Sequence, residues 1–224
     1  HEKPLDVLGR HLTSRLAAGP AAAGPLITRT PALALRQLTI GRSIDRWFKR
    51  RQAPPRPIAY VEHHASHAAA VFHPSPFRSA AILTVDGVGE WATTSLGQAH
   101  DHRVTLDREL RFPNSVGLLY SAFTSYCGFR VNGGEGELMG LAPFGRPVHA
   151  DVIRDRLLTI HPDGSVGLDQ HHFAYVGARR TTNWHKHRLS DGISLRLGTS
   201  DVCREDHLAA SVQVVLEEIL LAMA

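Results

Sequence analysis

The sequence predicts an α/β domain: a mixed sheet with an antiparallel flank, packed between helices and entered through a helical lead-in. Three observations predict it. Ala80–Val85 is a largely apolar run closed by Asp86-Gly87, the pattern of a buried strand with a carboxylate at its tip. The alternating segments Ala92–Gln98 and Arg103–Arg111 follow it at strand spacing. Segments of helical spacing lie on either side, and the division expected is residues 1–57 as lead-in and connector and 58–224 as the domain.

Taken in order, residues 29–56 form a basic stretch in which Arg29, Arg36, Arg42, Arg46, Lys49, Arg50, Arg51 and Arg56 face the single acid Asp45, with Trp47-Phe48 inside it. Such a run suits a surface helix whose arginine stems lie over apolar groups better than it suits a nucleic-acid or membrane-surface site. Ala53-Pro54-Pro55-Arg56-Pro57 ends it as a stiff connector. Ile58–Glu62 then reads as a short buried strand delivering His63, and Ser66–Phe72 as an alanine-rich helix stopped by His73-Pro74-Ser75-Pro76. After the strands, Ser115 is placed to cap a helix over Val116–Tyr126 that Gly128 closes. Glu135–Leu141 reads as a second helix stopped by Pro143, and Asp151–Ile160 as an amphipathic third. His161-Pro162-Asp163-Gly164 is a turn whose flanks can pair as a hairpin. Residues 179–204 have weak periodicity, and Asp206–Ala224 is a long helix apolar on more than one face.

Composition narrows the class. The chain has 224 residues, a formal charge of +4 and 43% hydrophobic residues. That is length enough for a sizeable core, with no apolar run approaching the roughly 18 residues of a membrane span. Two cysteines, Cys127 and Cys203, fit neither a disulfide framework nor a zinc motif and read as small buried residues, so a cytoplasmic setting is expected.

The chemistry concentrates in His63-His64-Ala65-Ser66-His67 and Asp86-Gly87-Val88-Gly89-Glu90-Trp91. On a helix, His63 and His67 project from one face at i, i+4 and can share a metal ion. Position 64 is His, so the metalloprotease signature with its Glu is absent. Gly87 and Gly89 allow the tight turn and close backbone approach of a phosphate-binding loop. His64 and Glu90 are candidates either for taking a proton from an acceptor hydroxyl or for orienting the metal ligands.

With Phe112–Thr124, Cys127-Gly128-Phe129 and Gly133-Gly134-Glu135-Gly136-Glu137-Leu138-Met139-Gly140-Leu141-Ala142-Pro143-Phe144-Gly145 added, the chain resembles the O-carbamoyltransferase family, which includes the nodulation-factor and antibiotic carbamoyltransferases. The densest blocks are residues 61–97 and 112–146. That resemblance implies an actin-like, ribonuclease H-like domain, present here as an incomplete copy with a helical lead-in. It also implies a reaction in which carbamoyl phosphate and ATP give a carbamoyl-adenylate, whose carbamoyl group passes to a hydroxyl of a sugar or antibiotic precursor. By that likeness His63 and His67 hold a divalent metal, iron or another, while Asp86 and Gly87 face nucleotide or intermediate.

Two departures from the family pattern stand out. Gly136-Glu137 replaces the aromatic residue and lysine usual before the Met-Gly-Leu-Ala-Pro block, and a carboxylate cannot attract phosphate as an ammonium does. A further metal-ligating aspartate, a second glycine-rich turn and an adenylate-forming domain are expected beyond residue 224, so these residues alone are expected not to complete carbamoyl transfer. Two other readings compete: a metal-dependent nucleotide-binding or phosphoryl-transfer protein of the same fold, and a non-catalytic module.

Overall fold

The computed structural model describes residues 5–6, 9–10, 12–13, 39–54, 56–173 and 204–224. Most of the lead-in, Arg29, Arg36, Pro55, nearly all of the weakly periodic 179–204 stretch and Cys203 lie outside them. Helix α1 spans Ile40–Arg50, with no residue buried and Lys49 and Arg50 in its last turn. The Arg51 guanidinium lies 3.9 Å from the centre of the Trp47 ring, so an arginine does cover an apolar group at the end of this surface helix.

Ile58–Glu62 does not form the expected strand. Ala59, Tyr60, Val61 and Glu62 are exposed in an extended connection that enters helix α2, His63–Phe72. Apolar content suggested the strand, but Pro54 and Pro57 immediately before it limit the backbone donors a ladder needs, and no described strand lies alongside. Alanines carry α2, and its buried residues His64, Ala68 and Phe72 recur every four positions, giving one inward face.

Strands β1 (Ser79–Val85), β2 (Ala92–His100) and β3 (Arg103–Arg111) form a meander in the order β1-β2-β3, antiparallel throughout. A mixed sheet was expected; among the described residues no parallel strand is present. The run Ala80–Val85 is also less buried than its composition suggests, since only Thr84 is buried and Leu83 and Val85 are each 38% exposed. Among the described residues, β1 has β2 on one side and no strand on the other. In β2 the register slips between Leu96 and Gly97, where a Cβ on residue 97 would fall 2.0 Å from the Thr105 carbonyl oxygen; only glycine admits β3 this closely.

The two sheet faces serve different purposes. Thr84 meets α2 through the His64 ring, whereas Leu83, one residue earlier, pairs with Leu96, which packs on the main core. Consecutive residues of a strand point to opposite faces, so α2 and the core lie on opposite sides. The core is built from helix α3 (Val116–Tyr126), α4 (Glu135–Leu141), α5 (Ala150–Leu157) and α6 (Glu205–Met223), with Leu119, Phe123, Leu138, Ile153, Leu157, Leu208, Val212, Val215 and Ile219 nearly inaccessible. α3 begins as expected, Ser115 Oγ accepting the Leu118 N–H at 3.0 Å, and Gly128 follows it at φ +87°. α5 is shorter than the expected Asp151–Ile160 helix. Its last three residues leave as strand β4, Leu158–Ile160, to pair with β5, Val166–Leu168, across the predicted turn. The β-branched Thr159 and Ile160 favour that ladder over another helical turn.

Candidate metal centre

The sequence brings three donors together from two elements. α2 starts at His63, so His63 and His67 sit one turn apart on one side of the helix, while β1 ends at Val85 and presents Asp86 at its tip. His63 Nε2 is 2.5 Å from Asp86 Oδ2 and 2.9 Å from His67 Nε2, and His67 Nε2 is 3.4 Å from the same carboxylate oxygen. One donor atom from each residue lies within 4.8 Å of the others. Two imidazoles and a strand-tip carboxylate therefore converge in the geometry.

The donor set suits a divalent ion of the kind imidazole and carboxylate prefer. Bonds of about 2.0–2.1 Å at tetrahedral angles place neighbouring ligand atoms roughly 3.4 Å apart. The separations here meet that value or fall short of it, so a small outward rotation of the side chains would make room. Electrostatics favour a cation too. Burial pushes the Asp86 carboxyl up, but the His63 bond, the Gly87 N–H and the nearby imidazoles outweigh it and hold the group below the usual aspartate range. The site opens outward: the side chains of His63, Asp86 and His67 are 26%, 36% and 55% exposed in that order.

His64 points the other way. Its Nδ1 lies 2.7 Å from Thr84 Oγ1 and its Nε2 3.0 Å from the Ala92 carbonyl oxygen. Burial lowers its pKa, with the neighbouring His63 and His67 acting in the same direction against the Ala92 carbonyl and Asp86. With both ring nitrogens engaged, His64 ties α2 to the sheet and has no nitrogen left for an acceptor hydroxyl. Glu90 is buried, and its Oε2 accepts the His63 backbone N–H at 3.0 Å.

Gly87 and Gly89 form a tight turn, but their amides are turned inward. The Gly87 N–H donates to Asp86 Oδ1 at 2.6 Å and the Gly89 N–H to the Ala92 carbonyl at 2.9 Å. As placed, these two donors are engaged within the turn. Gly89 instead allows close packing, since a Cβ there would lie 3.0 Å from His63 Cβ and 3.1 Å from His64 Cδ2.

Other contributors escaped the sequence reading. Ser115 Oγ, besides capping α3, reaches the Asp86 and Gly87 carbonyls at 3.2 and 2.7 Å. Gly117 brings the first turn of α3 against the same two residues. Arg10 of the lead-in donates to the Gly89 carbonyl. The Ser-x-Gly spacing at residues 115–117 was a visible signal, but nothing local said which turn it would meet. Glu135, just before the Gly136-Glu137 departure, is used structurally: its carboxylate accepts from Ser121 Oγ and from the Asn132 and Gly133 N–H groups, each at 2.9 Å.

Fold and site together define an α/β protein with a preformed site of two imidazoles and a carboxylate beside a strand–turn–helix junction. The chain belongs to the carbamoyltransferase family, matching the family model described as Carbamoyltransferase N-terminus over residues 32–224. It is 41% identical to an uncharacterized protein of Synechocystis over 232 aligned positions, which cover 100% of this chain and 37% of that one. Nodulation protein NolNO of Sinorhizobium fredii is 36% identical over 102 positions, 45% of this chain and 15% of the relative. An uncharacterized protein of Methanocaldococcus jannaschii is 32% identical over 128 positions, 50% of this chain and 20% of the relative. The chain thus spans well under half the length of these relatives. Among the described residues no helix is long and apolar enough to cross a membrane.

Proposed function

We propose that this chain is the metal-holding N-terminal part of an ATP-dependent O-carbamoyltransferase, and that the whole protein passes a carbamoyl group from carbamoyl phosphate, through carbamoyl-adenylate, to a hydroxyl of a sugar or natural-product acceptor. One observation carries the reading: in a member of this family, His63, His67 and Asp86 meet at an exposed point fixed by a helix and a strand. His63, His67 and Asp86 would hold a divalent ion, iron being the family-based expectation. Such an ion stabilises negative charge developing on a phosphoryl or carbamoyl oxygen.

The chain's own residues contribute placement. Thr84 and the Ala92 carbonyl grip His64, setting the rotation of α2 and with it the direction of His63 and His67. Ser115 and Gly117 press α3 onto the backbone of Asp86. The exposed His67 side marks the face from which a substrate oxygen would approach. The test is metal analysis of the purified protein beside its His63→Ala and His67→Ala variants, joined to an assay of carbamoyl-phosphate-dependent ATP turnover by the whole parent protein. Stoichiometric metal lost in both variants, together with turnover that requires carbamoyl phosphate, is expected. Nucleotide turnover indifferent to carbamoyl phosphate would replace this reading with a phosphoryl-transfer one.

A further inference from the structure

We infer that Glu90 is a positioning residue, whose carboxylate oxygen sets the first turn of the metal-presenting helix and which takes no part in proton transfer. The inference rests on the metal reading above. Its Oε2 accepts the N–H of His63, the residue that opens α2 and also points a ring nitrogen at Asp86. A helix leaves its first N–H groups without intrahelical partners, and α2 has no cap from its own N-terminal neighbour: the Glu62 side chain makes no capping hydrogen bond. A carboxylate borrowed from 27 residues further along the chain fills that role.

The same turn holds α2 twice more. Gly89, beside Glu90, lies against His63 and His64, and Ala92 receives the His64 ring through its carbonyl. Residues 89–92 therefore form a bracket around the first turn of α2, and the bracket starts three residues after Asp86. One short segment consequently carries the third ligand and fixes the other two. Glu90 is 8% exposed, and its bond to a backbone amide depends on an acceptor oxygen rather than on a net charge.

This leads to a discriminating comparison. Glutamine keeps an acceptor oxygen at the same reach but cannot serve as a general base, whereas alanine removes both. Titration of the protein with cobalt(II), followed by visible absorption, should give nearly equal affinity for wild type and Glu90→Gln. Glu90→Ala should bind about tenfold more weakly, in the range expected when a group that orients a metal ligand is lost. In the whole parent protein Glu90→Gln should keep carbamoyl transfer with an unchanged pH profile. Wild-type affinity in Glu90→Ala would overturn the inference, and so would a glutamine variant as weak as alanine or with a displaced pH profile. If wild type itself fails to bind cobalt, the metal reading falls instead. Hydrogen exchange at the His63 amide then decides on Glu90 alone: faster exchange in Glu90→Ala and not in Glu90→Gln supports positioning, and equal exchange in all three removes it.

Discussion

Replacing Gly117 with alanine would strike the site from behind. A Cβ at residue 117 falls 2.5 Å from the Asp86 carbonyl oxygen, 2.7 Å from its carbonyl carbon and 2.8 Å from the Gly87 nitrogen. All three are backbone atoms, so no side-chain rotation relieves the contact. Ordinary contact begins near 3.4 Å, so α3 and the Asp86 turn must separate by about 0.9 Å, the difference between 3.4 and 2.5. Overpacking of this kind costs about 1–3 kcal/mol. The same movement stretches the 3.2 Å contact from Ser115 Oγ to the Asp86 carbonyl beyond hydrogen-bonding range. Alanine's helix preference returns at most about 1 kcal/mol, leaving a net loss of roughly 1–3 kcal/mol once the hydrogen bond is counted. Gly136→Ala is the control, because nothing lies within 4 Å of a Cβ there and the change should stabilise α4 by up to about 1 kcal/mol. Urea unfolding of the three proteins gives the stabilities, and cobalt titration reports the displacement of Asp86. If Gly117→Ala moves the urea midpoint the same way as Gly136→Ala, the close approach argued for α3 is wrong.

Ser115→Ala removes the Leu118 cap and the contacts to the Asp86 and Gly87 carbonyls together, and should lower stability by about 1–2 kcal/mol in urea unfolding with some loss of metal affinity. A urea midpoint equal to wild type would mean that water replaces all three contacts. Acid should weaken the fold first through histidine. Burial, helped by nearby His207, lowers the pKa of His149 below 6.5, so near and below that pH the unfolded chain binds a proton the native state resists. The stability it preserves is full above pH 6.5 and declines as pH falls toward the lowered native value. His149→Asn should therefore lose less stability than wild type between about pH 7.5 and 5.5, and equal losses in the two proteins would count against His149.

Much of the site was legible because its signals are local. The i, i+4 spacing of His63 and His67 follows from helical geometry, and an Asp-Gly closing an apolar run places the carboxylate at a strand tip. The cap at Ser115, the helix ending at Gly128 and the hairpin around Pro162-Asp163-Gly164 were legible for the same reason. What failed depended on neighbours the local pattern does not name. Ile58–Glu62 has strand composition but pairs with no described strand, and Ala80–Val85 has the composition of a central strand but lies at the edge of the described sheet. At Gly87 and Gly89, likewise, glycine says where backbone can come close but not where its N–H groups point.

The three histidines of α2 make the same point in chemical terms. His63, His64 and His67 have identical side chains within five residues, and only rotation about the helix axis separates them. At roughly 100° per residue, His64 turns onto the sheet, where two hydrogen bonds make it an anchor and burial favours the neutral ring. His63 and His67 turn to the open side, where the Nε2 atoms of both face the Asp86 carboxylate. Their difference is thus decided by the phase of the helix, and that phase is set by its first turn. The inward grip on His64 and the Glu90 bond at His63 act on that turn from two sides. A rotation of one residue would bury one of the outward histidines and expose the anchor, so the residues that never touch the proposed ion are the ones that determine whether it can be held.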